Sequence, residues 1–154
     1  MGNILLATEK PFAQEAVDRI RKVATDAKHQ LTLLENYTDK KQLMDAVASA
    51  DALIVRSDIV DADVLSAGTT LKIVVRAGAG YDNLDIKTAS DRNIVCMNTP
   101  GQNANAVAEC AFGMMLYMAR KQFSGSSGSE LRGKNLGIVG YGNIGRHVLE
   151  AIQT

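Results

Sequence analysis

The sequence has 154 residues, with 17 basic and 17 acidic side chains, so its formal net charge is zero. A chain of this length predicts roughly one domain, with a core that needs no disulfide bonds. Hydrophobic residues make up 46% of the chain, which argues against disorder. The balanced charge argues against a nucleic acid or a membrane surface as partner, because either would favour a basic excess.

Short apolar runs alternate with amphipathic segments in the first hundred residues. We predict β-strands at 4–7, 31–34, 52–55, 71–75 and 94–97. Pro11 is expected to open the first helix, and Asp39, Asp61 and Asp85 to begin the next three. A helix after each of the first four strands predicts an α/β fold, namely a flavodoxin-like, doubly wound, parallel five-stranded sheet buried by helices on both faces.

The pattern changes after Pro100. Residues 102–122 predict one long helix that is apolar on most sides and must therefore be buried between domains or subunits. A sixth strand is predicted at 136–139, followed by a glycine-rich turn and a final helix. We therefore divide the chain into two parts, 1–100 and 101–154.

The glycine-rich turn has the spacing of a dinucleotide-binding loop, Gly140-x-Gly142-x-x-Gly145. The context supports this interpretation, because the motif follows a predicted strand and opens a helix. Gly140 permits the tight turn, Gly142 lets the backbone approach a pyrophosphate, and Gly145 lets helix and strand pack closely. The amides of Asn143 and Ile144 would face the phosphate from a helix N-terminus. A simple glycine turn is the alternative.

A second candidate site lies at the carboxyl ends of the third and fourth predicted strands. Arg56 and Ser57 follow the third strand, and Gly78, Ala79 and Gly80 follow the fourth. Open parallel sheets bind ligands at this edge. An arginine fork matches a carboxylate or phosphate, and consecutive small residues expose backbone N–H groups. We interpret the edge as a site for a small anion, with a surface ion pair and a tight turn as alternatives.

The two cysteines, Cys96 and Cys110, lie in apolar segments without metal-ligand spacing. We expect reduced thiols in a cytoplasmic protein and no metal site. The first residues carry no basic region or cleavage site, and the longest apolar run, 111–119, is shorter than the ~20 residues that span a bilayer. No membrane association is therefore predicted.

The sequence resembles the D-isomer-specific 2-hydroxyacid dehydrogenases in stretches that follow the family's order: 55–57, 75–83, 95–101, 107–109 and 131–140. The resemblance covers nearly the whole chain and is greatest to members that convert 3-phosphoglycerate to 3-phosphohydroxypyruvate in serine biosynthesis. It implies that 1–100 is a substrate domain and that 101–154 is the incomplete start of a Rossmann domain that binds NAD. It also implies a homodimer formed through 102–154.

The resemblance implies roles for single residues as well. Arg56, Ser57 and the loop 78–80 would bind the substrate, Ala79 also lying beside NAD, while Asn103 would lie by the substrate and Val107 by the cofactor. Family members move a hydride between C2 of a small anionic hydroxy acid and the nicotinamide, using a histidine, a glutamate and an arginine that lie farther along. We therefore expect no catalytic residue among these 154 and no activity of this chain alone.

Three other interpretations stay open. The substrate could be another hydroxy acid, as in glyoxylate/hydroxypyruvate reductases or D-lactate dehydrogenases. The protein could be an NADH-sensing corepressor of the same family, or a truncated form without catalysis. Asp58 bears on the first, because it replaces the basic or neutral residue that many relatives carry after Arg-Ser. It predicts a negative charge near the phosphate-binding region, which argues against a phosphorylated substrate. The acid that would bind the ribose is expected about 20 residues after Gly140, past Thr154, so NAD and NADP are not distinguished.

Overall fold

The computed structural model describes residues 1–153, which divide into two compact units, Met1–Thr99 and a second that begins at Pro100. The first unit contains five strands: β1 (Asn3–Thr8), β2 (Gln30–Glu35), β3 (Ala52–Val55), β4 (Ile73–Arg76) and β5 (Val95–Met97). They lie in the order β2-β1-β3-β4-β5, and each neighbouring pair is parallel. The predicted flavodoxin-like sheet is confirmed.

Four helices connect these strands: α1 (Gln14–Asp26), α2 (Lys40–Val47), α3 (Ala62–Ala67) and α4 (Ile86–Asp91). Asp39 forms a capping box with Gln42 at the start of α2. Asp61 and Asp85 accept hydrogen bonds from backbone amides in the first turns of α3 and α4. These three predicted helix starts are confirmed, because a capping carboxylate satisfies an amide that has no partner within the helix.

The predicted start of the first helix at Pro11 is wrong. Helix α1 begins at Gln14, after Ala13, which makes no side-chain capping bond. The Thr8 hydroxyl donates to the Lys10 carbonyl at 2.7 Å and accepts from the Lys10 amide at 3.2 Å. These bonds hold the segment after β1 in a turn, so Pro11 lies in the loop rather than in the helix.

The main core lies on one face of the sheet. Leu5, Leu53 and Val74 point from neighbouring strands toward α2, α3 and α4 and are at most 1% exposed. The connection from β1 to β2 runs in the opposite direction from the later ones, so right-handed crossovers place α1 on the other face. No helix of this unit follows β5, and Val95 and Met97 are 55% and 53% exposed. Burial of both faces was therefore predicted wrongly at β5.

The described residues of the second unit form two α-helices, α5 (Ala104–Ala119) and α6 (Asn143–Gln153). Helix α5 is shorter than the predicted 102–122. The Ser129 amide donates a hydrogen bond to the Ala119 carbonyl at 2.8 Å, and the residues of Lys121–Phe123 have positive φ angles, which do not continue an α-helix. Many of its apolar side chains are exposed to solvent, among them Met118, which is 66% exposed. Across residues 1–153, no helix is both long enough and apolar enough to cross a membrane.

The predicted sixth strand at 136–139 is not formed in the described part of the chain. A strand is defined by pairing with a neighbour, and the described residues of this unit provide no second strand beside it. Val139, which would be central in such a sheet, is fully exposed. The unit boundary falls beside the predicted division at residue 100, and the roles assigned to the two parts stay predictions.

We expect Leu53→Ala to lower the free energy of unfolding by about 2–5 kcal/mol, because the substitution leaves a cavity under the central strand β3. Leu33→Ala is the matched control. Leu33 lies on the edge strand β2 and is 36% exposed, so its loss should cost about 1 kcal/mol or less. Urea denaturation of the chain measures both effects, and equal losses would contradict the assignment of the core.

Candidate functional site

The paired ends of β3 and β4 bring the predicted substrate-binding residues to one edge of the sheet. Val55 stands in register with Arg76, and the Ala77 amide donates to the Val55 carbonyl at 2.8 Å. Arg56 and Ser57 therefore leave β3 beside the loop 78–80 that follows β4. The structure places five of the six predicted substrate-binding residues at this edge within the first unit, namely Arg56, Ser57, Gly78, Ala79 and Gly80, while Asn103 belongs to the second unit.

The loop 78–80 is held by the chain that follows β5. The Asn98 side-chain amide donates to the Ala79 carbonyl at 2.7 Å, and the Thr99 backbone amide donates to the Gly78 carbonyl at 2.9 Å. Within residues 1–153, the amides of Ala79 and Gly80 donate to no acceptor. Two adjacent backbone N–H groups without a partner are suitable donors for an anion.

Arg76 belongs to this site, and the sequence-based residue set omitted it. Its Nε donates to the Arg56 carbonyl at 2.8 Å. Its guanidinium also lies against Gly78, where an added Cβ would overlap Nη1, so this approach requires glycine at position 78. Among the described residues, neither Arg56 nor Arg76 pairs with a carboxylate. The position of Arg76 directly before the glycine loop was the signal that could have found it.

Asp58 lies at this edge, as the sequence predicted, but its carboxylate is buried and bonded by neutral donors. Its side chain is buried, and Oδ1 accepts hydrogen bonds from the Tyr37 hydroxyl and the Glu9 amide, both at 2.7 Å. Oδ2 accepts from the Arg56 amide at 3.2 Å. Burial, together with the Asp58 carboxylate, raises the pKa of Tyr37 far above its usual value, which keeps the phenol a donor.

The starts of α5 and α6 line a small cavity within the second unit. The cavity measures about 330 Å³, and its lining consists of Gly101, Asn103, Ala104, Gly140, Gly142, Asn143, Ile144 and Gly145. Asn103 makes no side-chain capping bond to α5. Two helix N-termini direct partial positive charge into one space, which favours an anionic group there. Val107 lies one turn into α5, outside this lining.

The glycines of this turn have the geometry that the motif requires. Gly140 has a φ of +96°, which side-chain-bearing residues rarely adopt. A Cβ added at Gly145 would overlap the Gly140 carbonyl oxygen and lie 3.3 Å from Ile138. The space around Gly142 is open, so a ligand can approach the backbone there.

Each histidine lies outside the candidate region of its own unit. His29 accepts the Gly2 amide through Nδ1 at 3.0 Å, next to the amino end of β1. His147 lies on α6, where its Nδ1 is 3.1 Å from a Glu150 carboxylate oxygen. Residues 1–153 contain no group of three or more His, Cys, Asp or Glu side chains that could hold a metal ion.

Comparison with known proteins agrees with these features. The model of the D-isomer specific 2-hydroxyacid dehydrogenase catalytic domain matches residues 4–152. The chain belongs to this family. Hydroxypyruvate reductase from Thermotoga maritima is 40% identical over 79% of this chain and 44% of its own length. D-3-phosphoglycerate dehydrogenase from Archaeoglobus fulgidus is 36% identical over 90% of this chain and 28% of its own.

A solved structure extends the likeness to the fold. The crystal structure of cofactor (NAD+) bound 3-phosphoglycerate dehydrogenase from Entamoeba histolytica matches with a TM-score of 0.93 and 46% identity, covering 99% of this chain and 50% of that one. The chain thus spans half or less of the length of these relatives.

We expect Gly145→Ala to loosen the turn before α6, because the new methyl group has no room beside the Gly140 carbonyl. Faster hydrogen exchange of the α6 amides measures this effect. Gly113→Ala is the control, since a Cβ at that position in α5 meets nothing within 4 Å. This control should stabilise α5 by about 1 kcal/mol through helix propensity. Unchanged exchange in Gly145→Ala would refute the close approach.

Proposed function

We propose that the protein containing this chain is an NAD-dependent oxidoreductase that converts 3-phosphoglycerate to 3-phosphohydroxypyruvate, a reaction that supplies serine biosynthesis. The observation that favours a phosphorylated substrate is the pair of arginines, Arg56 and Arg76. Arg56 and Arg76 are joined by a 2.8 Å hydrogen bond and have no carboxylate partner among the described residues. The substrate carries both a carboxylate and a phosphate, which matches an edge that offers two guanidinium groups and two unpaired backbone amides.

The backbone amides and the arginine side chains at this edge suit different groups of the substrate. The adjacent amides of Ala79 and Gly80 suit the compact substrate carboxylate, and the longer arginine side chains suit the phosphate. Ser57 leaves β3 at the same edge and supplies a hydroxyl. The four relatives that carry the D-3-phosphoglycerate dehydrogenase name and that match at 41% identity support this choice.

The second unit fits the cofactor assignment. Its cavity at the starts of α5 and α6 has the helix N-termini and the open glycine backbone that a pyrophosphate needs. We assign Gly140, Gly142, Gly145 and the amides of Asn143 and Ile144 to NAD. We also assign Val107 and Ala79 to the cofactor, and Asn103 to the substrate. Bound NAD would supply the acceptor for the C2 hydride.

The residues of this chain then bind and orient the substrate, and the acid–base groups lie elsewhere. Within the first unit, His29 is not at the anion-binding edge, since it bonds the Gly2 amide beside the amino end of β1. We propose that residues 1–154 by themselves bind substrate weakly and have no turnover. The neutral charge and the free thiols Cys96 and Cys110 support our proposal of a cytoplasmic enzyme.

Reduction of hydroxypyruvate is the second candidate, favoured by the 40% identity to the Thermotoga maritima protein. That substrate has a carboxylate but no phosphate. The two candidates therefore differ in their need for the second guanidinium, which makes Arg56 and Arg76 the residues to test.

We expect 3-phosphoglycerate to shift the Ala79 and Gly80 amide resonances of the chain more strongly than D-glycerate does. Arg56→Ala and Arg76→Ala should each weaken binding of 3-phosphoglycerate about tenfold or more, the effect of losing a charge-assisted hydrogen bond. Arg19→Ala is the control, because Arg19 lies on α1 and pairs with Glu15. Equal affinity for the two ligands, unchanged by either edge substitution, would favour the unphosphorylated substrate.

We further propose that the protein forms a homodimer through residues 102–154. A groove of about 1180 Å³ lies in the second unit between α5, α6 and the segment 131–139. Phe112 and Met115 line it, while Leu116 and Met118 on the same helix are 38% and 66% exposed. Exposed apolar surface of this extent is characteristic of interfaces, and most soluble oligomers are symmetric.

We expect the 154-residue chain to sediment as a dimer at tens of micromolar and Met118→Glu to shift it toward monomer, because a charge would be buried in the interface. Val23→Glu is the matched control, since Val23 lies on α1 in the first unit and is 68% exposed against 66% for Met118. A monomer at every concentration, or the same shift in both variants, would contradict the assigned interface.

A further inference from the structure

We propose that Asp58 is a positioning residue of the anion-binding edge: its buried carboxylate fixes the backbone of Arg56 and, through it, the side chain of Arg76. The proposal deepens the proposed function and rests on it where anion affinity is the readout. Asp58 itself would touch no ligand. It acts through the two arginines that would.

The first step is the solvation of the Asp58 carboxylate. The residue is 4% exposed, and no basic side chain pairs with it among the described residues. A buried carboxylate is tolerated only when hydrogen-bond donors replace the lost water. Tyr37, Glu9 and Arg56 supply those donors at 2.7, 2.7 and 3.2 Å. The same hydrogen bonds that satisfy the Asp58 carboxylate therefore also fix the positions of the three groups that donate them.

The second step is where the donors come from. Glu9 follows β1, Tyr37 follows β2, and Arg56 follows β3. The Asp58 backbone carbonyl also accepts the side-chain amide of Asn83, in the loop after β4, at 2.8 Å. One residue thus joins the loops at the carboxyl ends of four neighbouring strands, the edge at which the candidate substrate-binding residues lie.

The third step connects this network to the guanidinium groups. The Arg56 amide is held by Asp58 Oδ2, and the Arg56 carbonyl is held by Arg76 Nε at 2.8 Å. The Arg56 backbone is consequently fixed on both sides. If the bond to Asp58 is lost, the Arg56 backbone is freed, and the acceptor that orients Arg76 over Gly78 moves with it.

Removal of the Tyr37 hydroxyl can distinguish a positioning role of Asp58 from a general contribution to stability. It donates to Oδ1, whereas Arg56 is held by Oδ2, so the two contacts can be removed one at a time. The burial of Tyr37 and its neighbouring carboxylate keep its pKa raised, so the phenol remains a donor. Removing this hydroxyl should reduce stability while leaving the bond to Arg56 in place.

The test compares Asp58→Asn with Tyr37→Phe in the 154-residue chain. The introduced side-chain amide would keep an oxygen for Tyr37 and Glu9 but place an NH₂ group, which cannot accept, opposite the Arg56 amide. We expect Asp58→Asn to weaken 3-phosphoglycerate binding about fivefold or more, and Tyr37→Phe to change it by less than about twofold. Asp61→Ala is the matched control, because Asp61 caps α3 three residues away and does not bond Arg56.

A second readout is independent of ligand. The Arg76 Nε–H resonance should be protected from solvent exchange in the unsubstituted chain, in Tyr37→Phe and in Asp61→Ala, and should lose protection in Asp58→Asn and Asp58→Ala. Unsubstituted affinity and unchanged Arg76 protection in Asp58→Asn would overturn the proposal. If the unsubstituted chain binds no 3-phosphoglycerate, the proposed function fails, while Arg76 protection still decides whether Asp58 positions the pair.

Discussion

The parallel pairing of β3 with β4 determines where the candidate substrate-binding residues lie. In a parallel sheet the carboxyl ends of neighbouring strands meet at one edge, and the register of Val55 with Arg76 fixes the two chains to the same level. The Ala77 amide continues the ladder by one bond beyond the last pair. Arg76 at the end of β4, Arg56 after β3 and the unpaired amides of the loop after β4 are thereby brought together, so a change of register would separate them.

The arginine charges at this edge are not paired with the carboxylate of Asp58. Arg76 ends β4 and Arg56 follows β3, and the buried Asp58 carboxylate is satisfied by neutral donors rather than by either guanidinium. Because Asp58 bonds the Arg56 backbone and not its guanidinium, the arginine charge remains available to an external anion. A direct salt bridge would have neutralised that charge and closed the site.

The two faces of the sheet show how topology controls exposure. The order β2-β1-β3-β4-β5 reverses direction once, so among the four helices of the first unit α1 lies on one face and the other three lie on the opposite face. The face with three helices holds the main core, and the other face is open at β5. The segment 136–139 obeys the same principle, because its apolar sequence does not form a strand without a neighbour to pair with.

The alternation of strands and helices in residues 1–100, the parallel sheet, three of the helix caps and the position of both glycine loops could be predicted from the sequence. These features depend on local chemistry, such as the capping carboxylate of Asp39 and the positive φ of Gly140. The contacts of Arg76 and Asp58 could not be predicted from the sequence. Both depend on contacts between loops far apart in the chain, with Arg76 bonding the Arg56 carbonyl and Asp58 accepting from Tyr37 and Glu9. Sequence position shows that a carboxylate stands after Arg-Ser, but only the folded chain shows whether it faces a ligand or the donors of neighbouring loops.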